Sequence, residues 1–167
     1  MPIFSSLTSA VLVVALLAMP GAAQESGIEV GARAPRAMVS TLDGKPADIG
    51  SFIGGKPTVL YFWAFWCPSC KELEPEFMSA QRKHGAKVRF VAVAVSVNQS
   101  RQRVKAYTAR HKYRHLTLFD NEGNATDVYD VPATSYVVVV DAAGKVVYTG
   151  LGGKQDLDAA IAKSIAP

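Results

Sequence analysis

Cysteine is scarce in this chain: 167 residues contain two, Cys67 and Cys70. Structural disulfide frameworks come in larger even sets at wider spacing, so none is built here. The one possible intrachain bridge closes a two-residue gap. A loop that short restrains the unfolded chain far less than a long one, so a reactive role explains the pair better than a stabilising one. Long apolar runs are also missing. Leu7 to Met19 is nearly all apolar but has only 13 residues, against the ~20 that span a bilayer. Met1 to Ala23 carries no charged side chain of either sign. No internal repeat and no low-complexity linker is present, which leaves one domain. The formal charge of +4 is mild and does not by itself argue for nucleic acid.

The apolar N-terminus has a specific shape. Pro20-Gly21-Ala22-Ala23 supplies a break followed by small residues. This resembles a secretory signal peptide cut after Ala23, although its first residues lack Lys or Arg. The competing reading is a retained membrane anchor, for which the run is short. No cysteine stands at the cut, which argues against a lipid anchor. The expectation is a signal peptide over 1–23 and one domain over 24–167, periplasmic or secreted.

The cysteines sit at a junction. Trp63-Ala64-Phe65-Trp66-Cys67-Pro68-Ser69-Cys70 follows the β-branched and aromatic run Thr58 to Phe62, which reads as a buried strand. Helix signals come next. Pro68 suits the first helical position, Glu72, Glu74 and Glu76 occupy early turns, and Lys83, His84 and Gly85 mark the end. Leu73 and Phe77 give an inward face, and Pro75 falls inside the helix, where it should kink it. Both sulfurs therefore lie at a helix N-terminus. Free amide N–H groups and the positive end of the helix dipole favour an anion there, and the thiolate is the reactive form of cysteine. Residues three apart are neighbours on a helix, so the second sulfur can reach the first. The arrangement fits thiol–disulfide exchange.

The remaining pattern supplies a scaffold. Ala37 to Thr41 reads as a short strand, followed by the Asp43-Gly44 hairpin signal within Leu42 to Lys45. Val88 to Val97 is a near-continuous apolar strand of the kind covered on both faces. Arg101 to Arg114 reads as a basic helix with Val104 and Tyr107 inward. Leu116 to Phe119 is a strand, and 120–123 a turn. Tyr136 to Asp141 and Lys145 to Thr149 form a hairpin, and Asp156 to Ile165 closes the chain as a helix. A βαβ unit joined to an antiparallel hairpin gives an α/β fold, a mixed central sheet with helices on both faces.

These residues resemble the thioredoxin superfamily, and within it the exported TlpA/ResA-type thiol–disulfide oxidoreductases. The resemblance rests on Trp63 to Cys70, on Pro75 five residues past the second cysteine, on Val131-Pro132-Ala133-Thr134 before the last hairpin, and on the Leu42 to Lys45 entry hairpin. It covers about residues 30–165. It implies a thioredoxin-like fold and a redox cycle in which Cys67, the more exposed and more acidic thiol, attacks a partner disulfide, and Cys70, the more buried, resolves the mixed disulfide. It implies a cis Pro132 and a Val131 backbone that pairs with an extended client segment. Trp66, beside Cys67, would shape the docking surface. Client protein disulfides would be the substrate, with apocytochrome c cysteines the typical clients, and a membrane-linked thiol donor would supply electrons. No cofactor is implied.

Three departures stand out. Tyr61 occupies the place where thioredoxins carry a buried Asp. Leu73 stands where many TlpA/ResA-type reductases carry a Glu, with Glu72 and Glu74 on either side. Proline is the first of the two residues between the cysteines, whereas such reductases often place it second. The direction of electron flow is therefore open, and a dithiol oxidase is an alternative. A copper or metal carrier using the same thiols is another. His111 and His115 have a zinc-like spacing but lie about 40 residues from the cysteines, against the ~12–15 of a compact finger, so no metal ligands are assigned. The Arg101–Arg114 helix reads as a solvated face, with weak contact to acidic partners or anionic lipid head groups as the other reading.

Overall fold

β3 (Thr58–Trp63) is buried at every position and organises the core. Val59, Tyr61 and Trp63 join one hydrophobic cluster, while Leu60 and Phe62 join a second on the opposite face. The two-residue period of a strand thus makes a two-sided core. A computed structural model describes residues 27–165. The expected signal peptide lies outside the described residues.

The other strands are β1 (Met38–Thr41), β2 (Pro46–Asp48), β4 (Arg89–Val95), β5 (Leu116–Asp120), β6 (Tyr136–Val140) and β7 (Val146–Leu151). They form one sheet in the order β2-β1-β5-β4-β3-β6-β7. β3, β4 and β5 run parallel, and the remaining pairings are antiparallel. Helices α1 (Pro68–His84), α2 (Arg101–Arg110) and α4 (Leu157–Ile165) contribute Leu73, Phe77, Val104 and Ile161 to the first cluster. Each such buried side chain contributes roughly 1.5–3 kcal/mol. The second cluster is covered by α3 (Asn124–Val128), the 3₁₀ turn Ile49–Phe52 and the entry segment through Ala34 and Ala37. This is the thioredoxin-like mixed sheet with helices on both faces.

Local chemistry explains the main elements. The β1–β2 turn closes through Gly44, whose φ of 86 suits glycine, with Thr41 N–H donating to Lys45 O at 2.8 Å. α1 begins at Pro68 and continues through Pro75, whose missing N–H leaves the Lys71 carbonyl without its usual partner. Its buried stripe is Cys70, Leu73, Phe77 and Ala80, the 3–4 spacing of a core-facing helix. Two elements differ from expectation. α2 ends at Arg110 rather than Arg114, because the chain turns through Lys112 at a positive φ of 54. α3 follows the expected turn over 120–123, in a stretch to which the sequence pattern assigns no element. No helix among the described residues is long and apolar enough to cross a membrane.

Candidate active site

β3 delivers the chain to the cysteines, and a tight turn hands it to α1. Cys67 N–H donates to Ala64 O at 3.1 Å, and Lys71 N–H donates to Cys67 O at 3.2 Å. Gln99, after β4, fastens the turn. Its Oε1 accepts the Phe65 N–H at 3.2 Å, and its Nε2 donates to Val95 O at 2.5 Å. Cys67 is the N-cap of α1, and its Sγ accepts the Cys70 N–H at 3.2 Å. Sulfur thus takes the place that Ser or Asp oxygen usually fills, facing an otherwise unsatisfied amide at the positive helix end.

Both cysteines are free thiols. Cys67 is 4% exposed and Cys70 3%. The expectation of a distinctly exposed Cys67 therefore does not hold: the capping bond turns its side chain back into the first cluster. The two thiols are distinguished by role in the helix. Cys67 caps it, while Cys70 belongs to its inward stripe. Burial pushes the Cys70 thiol up to about 11, with a further push from the Cys67 sulfur, against the opposing pull of the Ala64 backbone and the Tyr61 hydroxyl.

Tyr61 reaches this site from β3. Its hydroxyl donates to Cys70 O at 3.2 Å, and its ring packs on Phe77 at 4.8 Å. Burial raises the phenol far above its ordinary value, so it stays a donor. A phenol that keeps its proton cannot take one from Cys70, as a carboxylate in this place could. Tyr61→Phe preserves the ring and deletes the donor. In the mixed disulfide of Cys67 with glutathione, attack by Cys70 and release of glutathione as its thiol are expected to slow about three- to tenfold at pH 8, the worth of one hydrogen bond, and their rise with pH to move further alkaline. Stopped-flow tryptophan fluorescence reads this, and an unchanged pH–rate profile would refute it.

Behind Cys70 lies a narrow cavity of about 10 Å³, lined also by Tyr61, Trp63, Glu74, Tyr113 and His115, close to the minimum for one water. Trp63 Nε1 and His115 Nδ1 are buried without a partner among the described residues. Burial lowers the His115 imidazole to about 4. Glu74 is not only a helix surface charge. After burial, the hydrogen bond with Glu74 is the main cause of the raised Tyr113 phenol, and Glu74 lies 3.7 Å from His111 Nδ1. Sequence reasoning named Tyr61 and Glu74 but not Trp63, Tyr113 and His115 as companions of Cys70. His111 stacks on Tyr107 at 4.0 Å, and His115 sits edge-on to Phe77 at 5.0 Å. Among the described residues no group of three or more His, Cys, Asp or Glu is placed to hold a metal.

The expected client-contact residues separate. Trp66 is 39% exposed, its Nε1 donating to Val97 O at 2.8 Å, so its ring is fixed beside Cys67. Val131 is half-buried against the second cluster, and its N–H already donates to Thr126 O at 2.9 Å. Pro132 is exposed, and no peptide bond among the described residues is cis. The cis expectation is thus corrected: the residue that enters β6 against β3 is Ser135. Ser135 is fully buried at a φ of 70, and its N–H donates to Phe62 O at 2.9 Å. Its side chain also faces the Tyr61 hydroxyl. Pro132 lies three residues too far upstream for that place.

The family model described as Redoxin matches residues 29–165. The chain belongs to the Redoxin family. Its relatives include the thioredoxin-like protein YneN of Bacillus subtilis (strain 168), 28% identical over 138 residues, 81% of this chain and 80% of that protein. Sporulation thiol-disulfide oxidoreductase A of the same organism is 28% identical over 149 residues, 87% and 88% of the two chains. Among solved structures, a thioredoxin-family thiol:disulfide interchange protein of Chlorobium tepidum TLS superposes with a TM-score of 0.69 at 24% identity, covering 83% of this chain and 99% of its own. This Redoxin chain is, by class, a thioredoxin-like thiol–disulfide oxidoreductase of the TlpA/ResA type.

Proposed function

We propose that this protein is exported and reduces disulfides in client proteins through a Cys67/Cys70 cycle. The observation that carries the reading is the Cys67 sulfur capping α1 through the Cys70 amide at 3.2 Å. A sulfur held at the leading end of a helix, with a backbone N–H on its lone pair, is placed as the attacking group of thiol–disulfide exchange. Cys67 attacks one client sulfur, a mixed disulfide forms, and the other client sulfur leaves as thiolate and takes a proton. Cys70 then loses its proton and attacks Cys67 Sγ. The Cys67–Cys70 bond forms, the client leaves as a dithiol, and two electrons have passed to it. A thiol donor, linked to the membrane in this reading, returns the pair to the reduced state.

Burial of Cys70 sets the tempo of the second step. With its thiol up at about 11, little thiolate exists at neutral pH, so the mixed disulfide persists until the proton is drawn off. Trp66 and the corner at Val131 and Pro132 are the surfaces this reading assigns to the client. With its N–H taken by Thr126, Val131 offers a side chain and a carbonyl rather than a free amide. Export is supported by the uncharged, apolar Met1 to Ala23 and its small-residue end.

The test is trapping. Cys70→Ala is expected to collect client adducts through Cys67 that dithiothreitol releases, and Cys67→Ser to collect none. Acid quench and alkylation of the exported protein should find mostly thiols, whereas mostly disulfide would assign the pair to oxidation. Tight Cu(I) uptake by a chain that traps nothing would replace the enzyme reading with a carrier.

A further inference from the structure

The outer face of α2, next to the turn that carries Cys67, holds a charge the fold itself does not use. Arg101, Arg103, Lys105 and Arg110 are its basic residues, and the helix has no carboxylate. Lys105 Nζ is paired with Asp43 at 2.6 Å. Arg101, Arg103 and Arg110 make no ion pair among the described residues. Glu74, which lines the cavity behind Cys70, faces His111 and Tyr113.

Two of these guanidinium groups flank a built pocket. Arg103 lies over the Phe65 ring at 4.8 Å, Phe65 stacks on Tyr107 at 5.7 Å, and Tyr107 stacks on His111 at 4.0 Å. Phe65, Arg103, Ala106, Tyr107 and Arg110 line an open pocket of about 280 Å³. Phe65 and Tyr107 also wall the cavity behind Cys70, and Phe65 is two residues from Cys67. The floor of the pocket is thus continuous with the redox site.

We propose that this pocket docks an acidic segment of the client, an Asp or Glu a few residues from the cysteine under attack. The proposal rests on the reductase reading and names the client chemistry that site prefers. Charge complementarity fixes the occupant. Arginine presents a planar fork matched to a carboxylate, and stacking of Arg103 on Phe65 holds one fork in place before the client arrives. The apolar floor of Phe65, Ala106 and Tyr107 receives the methylene stem of the acidic side chain. A client held there presents its disulfide to the turn at Cys67.

The experiment compares two disulfide-bridged peptides, one with Glu a few residues from the cysteine and one with Gln there. In wild-type protein kcat/KM is expected to favour the Glu peptide about tenfold at low salt, with the difference mainly in KM and shrinking as salt rises. In Arg103→Glu/Arg110→Glu the ratio should fall to about one or invert. The same peptides with Ser in place of Cys, titrated by calorimetry, read docking without redox chemistry. Tighter binding of the Glu form, lost in the variant, supports the pocket even if neither disulfide is reduced, a result that removes the reductase reading alone. No charge-dependent binding, or a preference that survives the double variant, overturns the proposal. So does an interaction confined to vesicles containing phosphatidylglycerol, which would assign the face to lipid head groups.

Discussion

A Cys67→Ser chain is expected to fold normally and to lose insulin-type disulfide reduction by about 10³-fold or more, the scale on which a nucleophile's removal is felt. The folding half of this result follows from the cap. Serine is among the best N-cap residues, and its hydroxyl can accept the Cys70 N–H that the sulfur now accepts. The midpoint of thermal unfolding should therefore stay within a few degrees of the wild type. The chemical half follows from the reaction. A hydroxyl cannot form the mixed disulfide, and Cys70 cannot take over efficiently because burial holds its thiol up at about 11. Turnover above about a tenth of the wild-type rate, in a variant that melts normally, would mean that the attacking sulfur is Cys70 and that the order of the cycle is reversed.

The second large effect concerns acid. His115 is set between Phe77 and Tyr113, with ring centroids 5.0 and 4.8 Å away. Burial lowers its pKa from 6.5 to about 4. Above pH 6.5 the imidazole is neutral whether the chain is folded or not, and it has no pH-linked effect. Between 6.5 and 4 the unfolded chain takes up the proton and the folded one does not, so stability falls as pH falls. Below 4 the loss is complete, at about 3 kcal/mol. Urea unfolding at pH 7 and pH 4 should show this decrement in the wild type and a decrement smaller by about that amount in His115→Phe. Phe keeps a ring in the aromatic cluster while removing the titration. Other groups, Asp158 with Lys83 among them, contribute equally to both proteins and cancel. Equal acid losses would show that His115 gains a proton without unfolding.

Where the sequence speaks through local rules, the fold follows it. The β-branched and aromatic run Thr58 to Phe62, proline at the first position of α1 and Asp-Gly in the first hairpin each act within a few residues. What is not legible is set by distant partners. α3 has only five residues, Asn124–Val128, too few to form from intrinsic propensity. It exists because Asp120, buried at the end of β5, accepts the amides of Ala125 and Thr126 at 3.1 and 2.9 Å.

The site divides in the same way. The cysteine pair and its helix could be read from spacing alone. The loss of exposure at Cys67 could not, because it depends on where the capped sulfur packs. Pro132 attracted attention by residue type, yet the place against β3 goes to whichever residue immediately precedes β6, and that is Ser135. Counting back from the first sheet position, Tyr136, would have found it. Gln99 gives no sequence signal at all. Its contribution is to tie the Cys67 turn to the end of β4.

That tether has a mechanical consequence. The carboxamide of Gln99 grips both sides of the junction, with Phe65 N–H on one and Val95 O on the other, and Trp66 adds a third fastening to Val97. The segment leading into Cys67 is therefore riveted to the sheet, while the sulfur hangs from the first turn of α1. Strain from a bound client is directed into the end of the helix and not into the strand. Bonding Cys67 Sγ to a second sulfur draws on the electrons that the Cys70 N–H now meets, so oxidation is expected to loosen that cap while the Gln99 and Trp66 fastenings, which do not touch the sulfur, are kept.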